Sequence, residues 1–335
     1  MSGTAGAKPR RPRTGRGRTA RAGRAAGEPS VVLTGVCGRL GRLLLRGLHR
    51  EGRVVGIDRR EFLDAPPDLT HYRLDLRRKA CRDVFRREPV RAVVHLGVMH
   101  DPRMSAETRH TWNVEGFGRV LEYVAAQRIP KLVLLSSAAV YGARPGNAQF
   151  LPEDAPLLAA SRLSEIRDLV ELDMLAQTFF WRVPECETVI LRPSFIAGRV
   201  HNEIYSYFRL PVTPRLLGFD PMMQFVHEDD VVAALRLALR PGVRGIFNLG
   251  GPGVLPLSQV IARMGRPSVP VVHFLARRLL DGLWRFGLTD FPGREIDYLR
   301  YVCMVDDRRA RDELGWLPRR TLDETIRAVR DAVTS

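Results

Sequence analysis

Lysine is nearly missing from this 335-residue chain: Lys8, Lys79 and Lys131 are the only three among 53 basic residues, and arginine supplies the rest. No lysine follows position 131, which excludes lysine chemistry from everything beyond it. Cysteine is also sparse, with Cys37, Cys81, Cys186 and Cys303 far apart and in no CxxC pair, so neither a disulfide framework nor a metal site is expected. No apolar run reaches the roughly 18 residues that span a bilayer, and the N-terminus lacks the apolar stretch of a signal peptide. The expectation is a cytoplasmic protein with no transmembrane segment. No repeat of a fixed period is visible, which excludes solenoids. Acidic residues are outnumbered, 37 against 53, for a net charge of +16. Residues 1–29 set eight basic side chains against Glu28 alone and hold almost no large apolar residue, so they read as a disordered basic tail. Such a tail suits nucleic acid or an anionic surface, although a solvated leader is the plainer reading.

Hydrophobic residues make up 45% and charged residues 27%, enough for a sizeable core. Order is expected from Ser30, where Val31, Val32 and Leu33 suit a parallel strand buried on both faces. Gly35, Gly38 and Gly41 follow as GxxGxxG, then an apolar-faced helix through Leu40, Leu43, Leu44 and Leu48. Glycines so placed permit a tight turn and a close approach of backbone amides to a pyrophosphate at the helix N-terminus. A second strand, Arg53 to Ile57, ends at Asp58, whose carboxylate suits the ribose hydroxyls of NAD and repels the 2′-phosphate of NADP. NAD is therefore favoured, against the adjacent Arg59 and Arg60, which suit the adenine face or a 2′-phosphate.

Strands at 71–76, 90–96 and 131–136 alternate with helices near 82–87 and from about 105 to 127, the pattern of a Rossmann-type, doubly wound parallel α/β sheet. At this point the sequence resembles the extended, atypical short-chain dehydrogenase/reductase superfamily, specifically NAD-dependent epimerases and dehydratases. The residues that carry the resemblance are TGVCGRLG, Asp58, LDL at 74–76, HLGV at 95–98, NVEG at 113–116, SSAAVYG at 136–142, LRPSFIAG at 191–198, FVHEDDVVAAL at 225–235 and ELGWLP at 313–318. The resemblance implies a cofactor site of Gly35, Gly38, Arg39, Leu40, Gly41, Asp58, Asp75, Leu76, Leu96, Gly97, Asn113, Arg167 and Pro193. It also implies a catalytic Ser137 and dimerisation through two helices. The expected layout is a mainly NAD(P)-binding Rossmann domain at 30–193 and a smaller, mainly substrate-binding subdomain at 194–335, with 225–250 returning to the Rossmann core.

The family's acid/base pair, Tyr-x-x-x-Lys, is missing. No tyrosine lies between Tyr141 and Tyr205, and the best alignment sets Leu163 and Arg167 at the two positions. Leucine transfers no proton, while the arginine keeps a charge suited to the nicotinamide ribose but is a poor proton shuttle. Tyr141, Asp154, Glu165, His100 and Asp101 are conceivable stand-ins, each with a plain packing or solvated alternative. Tyr141, Asn202 and Arg209 are candidate substrate contacts, the last because arginine suits phosphate. The stretch Val271 to Phe291 mixes Leu, Trp and Phe with Arg277, Arg278 and Arg285, a pattern that fits an interfacial helix, a pocket wall or a dimer face. The leading expectation is an NAD-dependent epimerase, dehydratase or oxidoreductase acting on a nucleotide sugar or similar hydroxyl-bearing substrate, with a non-standard acid/base arrangement. A non-catalytic dinucleotide sensor or assembly subunit is the alternative, and binding of nucleic acid or an anionic surface by the tail the third.

Overall fold

The computed structural model describes residues 27–99, 103–159, 164–289, 291, 293, 296 and 299–334. Residues 1–26 of the expected tail, together with His100, Asp101 and Leu163, lie outside them. The short apolar run forms β1 (Ser30–Thr34), every residue of which is buried. Side chains on a strand alternate between faces, so Val31 and Leu33 enter one apolar layer and Val32 the other.

The first half alternates strand and helix: α1 (Arg39–Glu51), β2 (Val54–Asp58), β3 (Thr70–Arg73), α2 (Lys79–Arg87), β4 (Val90–His95), α3 (Ala106–His110), α4 (Gly116–Ala126), β5 (Lys131–Leu135), α5 (Ser164–Arg182) and β6 (Glu187–Pro193). The later elements are β7 (Phe195–Ala197), α6 (Glu203–Phe208), β8 (Thr213–Leu216), β9 (Met222–His227), α7 (Glu228–Ala238), β10 (Gly245–Leu249), β11 (Val254–Pro256), α8 (Leu257–Arg263), β12 (Ser268–Val271), α9 (His273–Arg285), α10 (Arg308–Asp312) and α11 (Leu322–Thr334).

Seven strands pair in the order β10-β6-β5-β4-β1-β2-β3, all parallel. Chain direction across the sheet reverses between β1 and β4, and a crevice opens beyond the carboxyl ends of strands at such a switch point. Apolar faces of α1 and α7 cover one side of the sheet, with fully buried Trp316 among them; α2, α4 and α5 cover the other. α7 and β10 pack into this core, whereas β9 pairs with β7 and β11 in a separate three-stranded sheet.

The helix expected from 105 to 127 is interrupted. Residues Thr111–Glu115 form one wide π-turn between α3 and α4, an irregularity that concentrates at functional sites. It places Trp112 on the wall of the crevice while the next residue, Asn113, is buried.

Candidate functional site

At the carboxyl end of β1 the chain turns through Gly35, whose φ of +74° is left-handed and whose Cβ, were there one, would lie 2.7 Å from the Leu96 carbonyl oxygen. Gly41 is equally obligatory, since a Cβ there would meet the Gly35 carbonyl at 2.5 Å. Gly38 differs: beyond the Gly35 carbonyl at 3.1 Å, its nearest neighbour is the Arg60 guanidinium at 3.8 Å, so its bare backbone faces the crevice. Gly38 also immediately precedes α1, which no side chain caps, and this leaves the helix N-terminus directed at a cavity of about 640 Å³.

Asp58 ends β2 over this loop. Its Oδ2 accepts the Cys37 backbone N–H at 3.0 Å, and its Oδ1 accepts the Arg60 N–H at 3.0 Å. The Arg60 guanidinium reaches both oxygens, each at 3.2 Å. Burial alone would raise the carboxyl's pKa, but the donors of Arg60 and the Cys37 N–H outweigh it and hold Asp58 below the usual carboxylate value. Asp58 is the single carboxylate on the cavity wall among the described residues, against Arg39, Arg42, Arg59, Arg60 and Arg199. The wall therefore suits an anionic ligand.

At one end, Leu74, Leu76 and Trp112 line the cavity, with the Arg59 and Arg77 guanidinium groups 4.9 and 4.2 Å from the Trp112 ring centre. Asp75 does not reach the wall, because Arg77 folds back onto its carboxylate at 2.7 Å. Asn113 also stays behind the wall: its Oδ1 accepts the Met99 N–H at 2.7 Å and its Nδ2 donates to the Met99 carbonyl at 3.1 Å, fixing the loop after β4. Its role is positioning rather than contact.

The wall continues through Leu96, Gly97, Ser137 and Pro193 to Ser194, Arg199, His201, Asn202 and Cys303. Of the expected cofactor residues, Gly35, Gly38, Arg39, Leu40, Gly41, Asp58, Leu76, Leu96, Gly97 and Pro193 converge on this cavity. Ser137 is part-exposed, with Oγ accepting the Ala139 N–H at 3.1 Å. Asn202 joins it, although its Oδ1 caps α6 through the Tyr205 N–H and its Nδ2 donates to the Ile196 carbonyl.

Three expected contacts lie elsewhere. Arg167 is on the outer side of α5 with its Nε 3.7 Å from Glu171; Leu169, two residues and therefore some 200° further round the helix, lines the cavity instead. Tyr141 is 1% exposed, its hydroxyl hydrogen-bonded to Asn248 Oδ1 at 2.8 Å and accepting from Arg192 at 2.7 Å. Burial pushes this phenol up to about 12, so it is a structural brace and no proton carrier at neutral pH. Arg209 is exposed at the end of α6, over the Tyr205 ring.

Sequence reasoning passed over Arg199, Trp112 and Cys303. Arg199 follows LRPSFIAG directly and is exposed at the cavity wall; its place just beyond β7, at the carboxyl side of the sheet, is the signal that could have found it. Arg39 carries a further link: its guanidinium pairs with the buried Glu228 carboxylate at 2.5 and 3.0 Å and so ties the glycine loop to α7.

Residues 31–164 match the model of the NAD dependent epimerase/dehydratase family. An uncharacterized protein of Mycobacterium bovis is 30% identical over 311 residues, 89% of this chain and 82% of that protein. The chain belongs to the NAD dependent epimerase/dehydratase family. Among solved structures, this epimerase/dehydratase relative is similar to the UDP-glucose 4-epimerase of Thermotoga maritima with UDP-glucose (TM-score 0.71, 17% identity, 91% of this chain and 98% of that one). It is likewise similar to the UDP-glucose 4-epimerase of Thermus thermophilus in complex with NAD (TM-score 0.70, 20% identity, 91% and 99%). At these identities the likeness is one of fold.

Proposed function

We propose that the cavity binds NAD and that the protein acts on a nucleotide sugar, or a similar hydroxyl-bearing substrate, by hydride transfer. The observation that carries this reading is the convergence of the glycine turn, the Asp58 carboxylate and Ser137 on one arginine-rich cavity of about 640 Å³ at the switch point of the sheet. Gly38 fits a pyrophosphate because a side chain there would fill the approach, and Asp58 fits a ribose because it is an ionised acceptor pair at the end of β2. The NAD and UDP-glucose complexes of the structural relatives support the same assignment.

NAD, when bound, supplies a two-electron hydride acceptor. Ser137, which lines the cavity just beyond the carboxyl end of β5, hydrogen-bonds the reacting hydroxyl of the substrate in this proposal. Arg199, with no ion pair among the described residues, grips the substrate phosphates. A proton must leave that hydroxyl as hydride departs from its carbon, and the Tyr-x-x-x-Lys pair is missing from the sequence. Of the titratable groups described on the wall, Asp58 is engaged with Arg60, and burial pushes the Cys37 and Cys303 thiols up to about 11 and about 12. The imidazole of His201 is left as the proton acceptor in this reading.

Calorimetric titration with NAD and NADP, followed by a nucleotide-sugar turnover screen, tests the proposal. NAD binding followed by turnover that Ser137→Ala lowers about a hundred-fold is the expected result. Binding of neither nucleotide overturns it, and binding with no turnover reduces it to a sensor or assembly subunit.

A further inference from the structure

The outer face of α9 takes no part in the cavity. Phe274, Leu275, Leu279 and Phe286 are 58%, 51%, 60% and 83% exposed. At 100° per residue, Leu275, Leu279 and Phe286 fall within an arc of about 40°, bordered by Arg278 and Arg285, while Ala276 and Leu280 turn inward. The helix is about 20 Å long, so this is a stripe rather than an isolated side chain. Leu217, whose N–H bonds the Val271 carbonyl at 2.9 Å, and Val272, which precedes the helix, extend the apolar surface at its start and are both exposed. The helix has one acid, Asp281, and its carboxylate is turned aside to accept the Gly293 N–H at 3.0 Å. Arg277, Arg278 and Arg285 are all exposed.

We propose that this face docks the protein in the plane of membranes rich in anionic phospholipid. Large apolar side chains set among arginines, with the acid withdrawn, match a surface that offers hydrocarbon beneath a layer of negative charge. A second copy of the chain is a poorer fit, because a twofold contact would press arginine stripe against arginine stripe on a protein of net charge +16. No helix among the described residues is long and apolar enough to cross a membrane, so the attachment is one of lying on the bilayer. The inference is independent of what the cavity binds.

Flotation of the full-length protein with vesicles of phosphatidylcholine, alone or with about one-third phosphatidylglycerol, at physiological salt tests it. The wild type is expected to float with the anionic vesicles only. Phe274→Ser with Leu279→Ser should reduce binding about ten-fold or more, and Arg278→Gln with Arg285→Gln should reduce it several-fold. Circular dichroism checks the fold; should the double serine variant misfold, Leu279→Gln alone serves, with a smaller loss. Variants that float as well as wild type would overturn the proposal and assign vesicle binding to the basic tail or to overall charge. Equal binding to neutral vesicles would also overturn it, as would a lipid-free dimer that Phe274→Ser with Leu279→Ser dissociates.

Discussion

The Asp58 carboxylate has two suitors, a ribose and the guanidinium of Arg60, and the structure shows the second in place. Asp58→Ala removes the acceptor both need, so calorimetry should show NAD affinity falling about ten-fold or more. Arg60→Ala removes the guanidinium and leaves Asp58 the backbone N–H groups of Cys37 and residue 60. NAD affinity is then expected to rise while NADP, its 2′-phosphate facing a bare carboxylate, binds more weakly; a loss for both nucleotides would show Arg60 to be an ordinary contact. His95 makes a different prediction. It is 1% exposed at the end of β4, with Nδ1 2.8 Å from Thr34 Oγ1 and Nε2 unpartnered, and burial lowers its pKa from 6.5 to about 3. Between those values the unfolded chain binds a proton that the folded one refuses, so stability present above pH 6.5 is lost as pH falls. The loss is at most about 1.4 kcal/mol per pH unit, and urea unfolding of His95→Gln should show a shallower slope than wild type.

Among elements, the β1–turn–α1 unit was legible because its code is local: glycine spacing sets the turn, and the Leu40–Leu48 stripe sets the helix face. The same unit separates stability from binding. Gly41→Ala forces a Cβ to 2.5 Å from a backbone oxygen and should cost about 1–3 kcal/mol, read as a lower denaturant midpoint. Gly38→Ala places its methyl toward the cavity and should keep most of the stability while weakening NAD binding. Where side-chain direction depends on tertiary placement, the sequence was a poorer guide. Arg199 and Arg209 are the same residue ten positions apart, and only the end of β7 and the turn of α6 decide that the first meets the cavity. Arg167 kept its expected place along α5 but not its face. The π-turn at Trp112 breaks no apolar pattern, so Ser105 to Gln127 read as one helix.

At the scale of the molecule, a buried polar network ties the layers together. Arg192 on β6 donates to both Asp173 oxygens, at 2.9 and 2.6 Å, and to the Tyr141 hydroxyl; Ser136 donates to Asp173 at 2.6 Å, and Tyr141 meets Asn248 on β10. Both members of the ion pair are at most 1% exposed. Asp173→Ala strands the Arg192 charge and should cost about 3–5 kcal/mol in chemical unfolding, whereas replacing both residues with leucine should cost much less. None of these groups announces itself in a sequence with 53 basic residues. The Arg60–Asp58 pair acts on time as well as affinity. The Arg60 side chain is 56% exposed, so its guanidinium exchanges far faster than nucleotide arrives; in a stopped-flow mixing experiment the observed rate of NAD binding should climb in proportion to nucleotide in wild type and Arg60→Ala alike, with the difference between them in the rate of release.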